Sequence, residues 1–363
     1  MAALPSREGV TFTGNAAEYF GIWIVNLFLT VVTLGIYSAW AKVRKKRYFY
    51  GNTWVAGVNF EYHGNPIAIL KGRVIAFVLF VAYTAANDFA PKLGSAILLA
   101  IIPALPWIII RSFAFNAVNS SYRNIRFHFK GTYRDALRAI GPAALVPLVT
   151  VLLPDFNPRN TDVDLKNLWT IYVPPVVLAL VYPWIVGSLK RLHLNGTSFG
   201  TSPFACTATI GAFYRNYLLI GLLFIVLVAG FGGAVMLLIL IPIVGWLAIP
   251  VLYIAFGAFL FAFTQSRIAN LVFNATSLGG RVHFESTLKA GKLAKIYAVN
   301  LLAIACSLGL AVPWAVIRAQ RYRAECLALE CEAGLESFMS ETTRNVSAVG
   351  AEVGEMFDVD LSL

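Results

Sequence analysis

Charge is scarce in this 363-residue chain, with 13% of residues Asp, Glu, Lys or Arg, about half the share of an ordinary soluble domain. Together with 58% hydrophobic residues and a mean hydropathy of +0.71, that scarcity excludes a soluble monomer. There are only 4 cysteines; none forms a paired short spacing and Cys306 lies in an apolar run, so a disulfide scaffold and a zinc signature are both excluded. The histidines, His63, His128, His193 and His283, lack a His-x-x-x-His spacing or a zinc-type Glu motif, and no metal site is expected from them. Carboxylates are missing from the centres of the apolar runs, whose interior polar residues are neutral, among them Asn26, Thr30, Thr33 and Asn300. A proton-coupled relay at mid-membrane is disfavoured, and helix-to-helix hydrogen bonding is the expected role of Asn26 and Asn300. No Gly-rich phosphate cradle precedes a helix, because Gly230, Gly232 and Gly233 fall inside an apolar run. The first 18 residues lack the basic start and compact apolar core of a signal peptide, so targeting is expected from the first span.

What is present is long apolar runs. Since about 20 residues of helix cross roughly 30 Å of hydrocarbon, eight spans are expected at 19–41, 73–90, 93–110, 138–153, 168–187, 216–237, 243–264 and 296–317. The fourth is short and holds Pro142 and Pro147. Between Arg215 and Arg267 lie 51 residues without charge, which suits two crossings with a break near Pro242 to Gly245. The fold class read from this pattern is an all-α polytopic membrane protein with short cytoplasmic β segments. Other prolines in the spans, such as Pro103, Pro174 and Pro250, bend helices where neighbours satisfy the freed carbonyls.

Basic residues outnumber acidic ones, 29 to 18, for a net charge of +11. Alternate connections (42–73, 111–138, 188–215 and 265–295) carry 21 of the 29. Short basic loops stay in the cytoplasm, so these connections are expected there, with the N-terminus and Asp155, Asp162 and Asp164 outside. The same count sends the tail outside, against the preference of Arg318, Arg321 and Arg323. Either one weak apolar run, such as 138–153, is re-entrant or buried rather than spanning, or the tail is an exception to the rule.

An internal repeat accompanies the basic connections. A shift of 67 residues aligns Trp40, Arg44, Tyr48, Asn52, Phe60 and Gly64 with Trp107, Arg111, Phe115, Asn119, Phe127 and Gly131. A third copy contains Trp184, Asn195 and Phe204; a fourth contains Arg267, Asn274 and Phe284; a fifth, Pro313, Trp314, Arg318 and Tyr322, lacks the later half. Each unit reads as a span ending in an interfacial Trp, a basic residue and then an aromatic at helical spacing, an Asn/Ser/Thr/Gly turn, and an alternating stretch such as Phe60-Glu61-Tyr62. The alternating stretches predict short strands, and four such strands are expected to pair into a small cytoplasmic sheet. The domain reading is an N-terminal segment (1–18), a membrane domain (19–323) with modules at 20–72, 93–138, 168–215, 243–295 and a truncated 296–323, and an acidic tail (324–363).

Tyr19-Phe20, Asn26, Thr33-Leu34-Gly35-Ile36-Tyr37, Trp40-Ala41, Lys46-Arg47-Tyr48 and Asn52, with Gly279-Gly280-Arg281 and Phe284-Glu285-Ser286-Thr287, resemble the YjgN-like family of uncharacterised bacterial inner-membrane proteins, a domain of unknown function. The resemblance runs from about residue 10 to 323. It implies a multipass inner-membrane location and brings no catalytic residues.

The basic-aromatic run Lys42 to Tyr50 could attract nucleic acid by charge and stacking. Directly after a span, attraction to an anionic leaflet at about 1 kcal/mol per cation explains it better, and no nucleic-acid partner is expected. Anionic membrane lipids are the expected partners, with Arg44, Arg111, Arg267 and Arg318 as phosphate-facing candidates. Trp40, Trp107, Trp184 and Trp314 set depth, while Asn52, Asn119, Asn195 and Asn274 form turns and Phe60, Phe127, Phe204 and Phe284 form strands. No cofactor, metal or catalytic residue is assigned. The function expected is non-enzymatic, transport-like or lipid-interacting; a scaffold recruiting partners and a lipid-headgroup enzyme are the alternatives. An enzyme would need Glu61, Asp135 and Glu285, the cytoplasmic acids before the tail, to converge.

Overall fold

The computed structural model describes residues 6–89, 91–152, 165–239, 241–332 and 334–360. Strand β1 (Ser6–Phe12) leads into helices α1 (Ala16–Val32) and α2 (Ser38–Gly51), then strands β2 (Thr53–Val55) and β3 (Val58–Tyr62). Next come α3 (Pro66–Phe89) and α4 (Pro91–Val118), with β4 (Ser120–Tyr122) and β5 (Ile125–Phe129). Helix α5 (Tyr133–Ile140), a 3₁₀ turn (Gly141–Ala144), α6 (Leu145–Leu152) and α7 (Leu165–Asn195) precede β6 (Thr197–Phe199) and β7 (Ser202–Cys206). Helices α8 (Ile210–Ile239) and α9 (Pro242–Asn274) precede β8 (Thr276–Leu278) and β9 (Val282–Ser286). The chain ends with α10 (Ala290–Cys306), α11 (Val312–Glu325), β10 (Leu327–Cys331) and α12 (Leu335–Asp360).

The all-helical expectation is overturned here, because ten antiparallel strands close into a barrel in the order β1-β10-β9-β8-β7-β6-β5-β4-β3-β2. The closing strand is the first one. Ser6 to Gly9 pair with β10, and Val10 to Phe12 pair with β2. Closure removes every free edge, which a strand beside lipid and water otherwise exposes. Five equivalent hydrogen bonds run round one rim, the N–H of the residue after β1, β3, β5, β7 and β9 donating to the carbonyl of the single residue that joins a neighbouring helix to its strand. They are Thr13 to Asn52 at 3.0 Å, His63 to Asn119 at 2.8 Å, Lys130 to Gly196 at 2.7 Å, Thr207 to Ala275 at 2.8 Å and Thr287 to Cys326 at 2.9 Å. Thr13, just after β1, thus does at its place what the other four do at theirs.

Alternation along the strands points Val10, Phe12, Val55, Ile125 and Val282 inward, where they are buried. Phe60, Phe127, Phe204 and Phe284 join them, with Phe127 to Phe204 at 6.2 Å and Phe204 to Phe284 at 6.0 Å in stacked pairs. Such rings fill a small barrel completely enough to make it a core rather than a pore. Leu335, Phe338 and Met339 of α12 cover one mouth and belong to the same core. Part of the stretch that reads as an acidic tail is therefore barrel wall and lid.

Hydropathy misjudges the first and last spans. The run 19–41 turns back on itself, because α1 stops at a tight turn in which Leu34 and Gly35 take φ of 49° and 92°. Gly35 N–H reaches Thr30 O at 2.7 Å, and the Thr33 hydroxyl accepts from Tyr37 N–H at 2.9 Å. The run 296–317 has the same stop: Leu308 and Gly309 at φ 51° and 93°, Gly309 N–H on Ile304 O at 2.8 Å, and Ser307 Oγ accepting from Ala311 N–H at 2.8 Å. A left-handed Gly after a helix, with hydroxyl help, ends it. The run 138–153 breaks into α5, the 3₁₀ turn and α6. Among the described residues, five helical stretches are long and apolar enough to cross a membrane: Pro66–Asp88, Ile101–Val118, Ile171–Asn195, Ile210–Ile239 and Ala248–Asn274. The break expected near Pro242 falls between α8 and α9. Asp155, Asp162 and Asp164 lie outside the described residues.

Every helix group leaves the barrel and returns to it, so β1, α12 and the four basic connections share one side. The expectation of termini opposite to those connections fails, because it counted the two folded-back runs as crossings. Helices pack as a ring in chain order, and α11 returns to α1.

Candidate functional site

A strongly charged cleft lies where the ring closes, at the start of α1 and α10 and along α11. Its volume is about 660 Å³, and it is lined by Asn15, Lys292, Lys295, Trp314, Arg318 and Arg321, with Glu325 at its edge. Local chemistry fixes each wall. Asn15 caps α1, its Oδ1 accepting from Ala17 N–H at 2.8 Å, while the Tyr48 hydroxyl donates to Asn15 O at 2.9 Å. Arg321 Nη2 donates to Gly14 O at 3.1 Å, tying α11 to the end of β1. Gly14 has to be glycine, since a Cβ there would meet the Phe12 ring at 2.5 Å. Tyr322 joins α11 to α10, its hydroxyl accepting from Lys289 N–H at 3.1 Å.

Four cations thus face one carboxylate in the cleft. Among the described residues the ion pairs are Arg7 with Glu285 and Glu330, His63 with Glu61, Arg123 with Glu336 and Arg281 with Glu341. None uses Lys292, Lys295, Arg318 or Arg321. Arg318 lies 5.1 Å from the centre of the Trp314 ring and Lys292 lies 4.6 Å from that of Tyr322, geometries that hold a cation without neutralising it.

Structure separates the arginines that the pattern treated alike. Arg44 donates to Asn26 Oδ1 and to the Tyr37 hydroxyl, both at 3.3 Å, and Arg267 Nε donates to Asn216 Oδ1 at 3.0 Å. These two hold helices together, and the expected helix-to-helix role of Asn26 is met by an arginine. Asn300 Nδ2 instead donates to Ala315 O at 2.9 Å. Arg111 stacks on Trp107 at 5.6 Å, and Trp184 Nε1 reaches Arg138 O at 3.4 Å. Trp40 stacks on Tyr37 at 6.1 Å. Trp40, Trp107, Trp184 and Trp314 each precede the strand that follows by 13 residues, so they stand on separate hairpins at one distance from the barrel, about 20 Å along the helix. They are not brought together.

The turn asparagines do what their type suggests. Asn52 and Asn119 side chains donate back to Tyr48 O at 2.9 Å and Phe115 O at 2.7 Å, while Asn195 and Asn274 accept from Cys206 N–H at 2.7 Å and Ser286 N–H at 2.6 Å. Lys292, Lys295 and Arg321 were not singled out by the pattern, nor was β1. One signal for β1 was available: Phe12-Thr13-Gly14-Asn15 parallels Tyr62-His63-Gly64-Asn65, and Asn65 caps α3 as Asn15 caps α1.

The three acids required of an enzyme do not converge. Asp135 caps α5 in a mutual bond with Thr132, whose hydroxyl hydrogen bond holds its carboxyl below the usual range. Glu285 pairs with Arg7 at 2.5 Å. Glu61 sits 3.4 Å from both His63 Nε2 and Ser121 Oγ, which are 2.7 Å from each other. A relay needs the acid on Nδ1 so that Nε2 can face the nucleophile; here both partners crowd Nε2. Elsewhere, a cleft of about 820 Å³ on the barrel wall is lined by Arg126, His128, Lys130, Ser198 and Val346 among others.

Fold and cleft together define a polytopic membrane protein whose helix hairpins are rooted in a closed barrel on one side. The chain belongs to a family of bacterial proteins of unknown function, DUF898, matched over residues 7–356. Its relatives include the inner membrane protein YjgN of Salmonella typhimurium strain LT2, 26% identical over 194 residues, covering 52% of this chain and 46% of the relative. The inner membrane protein YjgN of Escherichia coli K12 is 28% identical over 212 residues, covering 54% and 48%. The chain spans about half the length of the curated relatives it matches. No solved structure matches it. With the membrane-length helices, these relatives place the chain in the inner membrane.

Proposed function

We propose that this protein is a non-enzymatic, lipid-interacting inner-membrane protein that holds the headgroup of an anionic phospholipid of the cytoplasmic leaflet. One observation carries the reading: four cations without ion-pair partners among the described residues share a cleft with Trp314. Trp favours the headgroup zone, and Arg318 and Arg321 lie one and two turns further toward the barrel, at phosphate depth. Five equivalent rim hydrogen bonds support the internal-repeat reading, with β1 standing in for the later half of the fifth unit. The larger cleft on the barrel wall, with three basic side chains, favours a second reading in which a soluble acidic partner docks there.

Native mass spectrometry of protein extracted with its lipids tests the first reading. Neutralising Lys292, Lys295 and Arg318 lowers retained phosphatidylglycerol several-fold relative to phosphatidylethanolamine, whereas Arg44→Gln, whose head is engaged by Asn26, does not. Equal retention in all three proteins removes the reading.

A further inference from the structure

The membrane wall has unequal height. From Trp40 to the tip at Leu34 is six residues, and from Trp314 to Leu308 is six; part of each is the tight turn before α2 or α11, and even at full helical rise six residues span only about 9 Å. That is less than one leaflet, whose hydrocarbon is about 15 Å deep. From Phe263, which stands where the other units have Trp, to the start of α9 at Pro242 is 21 residues, about 31 Å and a full crossing. Helix α7 reaches about 28 Å beyond Trp184 and α4 about 24 Å beyond Trp107 by the same measure. The two low hairpins, α1–α2 and α10–α11, are neighbours, since α11 packs on α1. Their tips are bare, with Leu34 94% and Leu308 95% exposed. Among the described residues the ring of helices is therefore low over these two adjacent hairpins, and the cationic cleft lies at the foot of that gap.

The helix on one side of the gap has little protein around it. Every residue of α3 from Lys71 to Ala82 is exposed, three turns that present all faces of the helix, the one turned into the ring included. In a bilayer those faces are covered by acyl chains.

We propose that the gap is a lateral lipid seat: a two-chain anionic glycerophospholipid enters from the cytoplasmic leaflet, places its phosphate in the cleft, and lays its tails over Leu34 and Leu308 within the line of the ring. This rests on the headgroup reading and adds where the tails go. Charge complementarity fixes the headgroup end, because Lys292, Lys295, Arg318 and Arg321 outnumber Glu325 and sit below Trp314. The short hairpins fix the other end, because their bare apolar tips, Leu34 and Leu308, leave a height that acyl chains fill in a bilayer.

The test uses the full chain in phosphatidylcholine nanodiscs doped with phosphatidylglycerol carrying a diazirine at the end of one acyl chain. After illumination, peptide mapping locates the adducts. The expected result is labelling at Val31–Ile36 and Ser307–Leu310 that falls at least fivefold in the K292Q/K295Q/R318Q variant, while labelling on the outer face of α7 persists. If the variant loses phosphatidylglycerol in native mass spectrometry but tip labelling is unchanged, the headgroup reading stands and the tail seat is overturned. If neither changes, both are overturned. A diazirine lipid of neutral headgroup labelling the tips equally also overturns the seat.

Discussion

Removing residues 1–14 takes away the strand that closes the barrel, and the cost can be worked from its contacts. Val10 and Phe12 are each 7% exposed, and burying such side chains contributes roughly 1.5–3 kcal/mol apiece, so about 3–6 kcal/mol goes with them. Seven pairings, four with β10 and three with β2, go as well, and two strands acquire free edges. Against a typical domain stability of about 5–15 kcal/mol, that is enough to open the barrel locally. A loss of about 3 kcal/mol raises the open population roughly a hundredfold. Hydrogen exchange read by mass spectrometry is expected to show amides of β2 and β10 exchanging at least a hundred times faster in the truncated protein. Those of β6 and β7, on the opposite side, should change much less. A synthetic peptide of residues 4–16 added in trans should restore protection. Unchanged exchange at β2 and β10 would refute the assignment of β1 as the closing strand, and failure of the peptide to protect would refute the idea that the groove between those strands is preformed.

Four further outcomes follow from other contacts. Reporter fusions at the N- and C-termini should both read as cytoplasmic, because β1 and α12 share the barrel with the basic connections; a periplasmic C-terminus would break the fold. An environment-sensitive dye on L34C should emit as in hydrocarbon and be quenched by acyl-chain spin labels, whereas a water-like spectrum would show that α1–α2 does not enter the leaflet. Gly200→Val should free α12 to proteolysis with a loss of about 1–3 kcal/mol, since Gly200 has φ of 54° and a Cβ there meets Val346 at 2.7 Å; an unchanged cleavage rate would count against the lid contact. Acid should loosen the same lid: the two hydrogen bonds from Arg123, at 2.8 and 2.6 Å, hold the Glu336 carboxyl below its usual range. A depressed carboxylate stabilises fully above its ordinary value of about 4.3 and loses that contribution as pH falls through the lowered one. Lid protection should therefore hold from pH 8 to 5 and decline below about 4, modestly because the pair is exposed; an identical acid profile in Arg123→Ala would show that Glu336 is not the cause.

Much of the membrane part was legible because its signals are local. Tall helices announce themselves by apolar length, as α8 and α9 do across 51 uncharged residues. Trp314 and Arg318 meet because four residues make about one helical turn, and the turn asparagines act on backbone within reach. Hydropathy could not see that runs 19–41 and 296–317 fold back, because Leu34-Gly35 and Leu308-Gly309 change direction without lowering apolarity. The short strands were legible one at a time from alternation in Phe60-Glu61-Tyr62, yet their partners lie tens of residues away and no local pattern encodes the pairing.

The sequence by itself determined that this chain lives in a membrane and that its basic residues gather in alternate connections, since composition and helical periodicity are properties of neighbouring residues, and its motifs carried the family resemblance. Only the tertiary structure decided that the strands close into a barrel, that Ser6–Phe12 completes it beside Leu327–Cys331, and that Lys292, Lys295, Arg318 and Arg321 face one cleft. Those depend on where two ends more than 300 residues apart meet, and chain closure of that kind is set by edge hydrogen bonds and burial that exist only once the ring is formed.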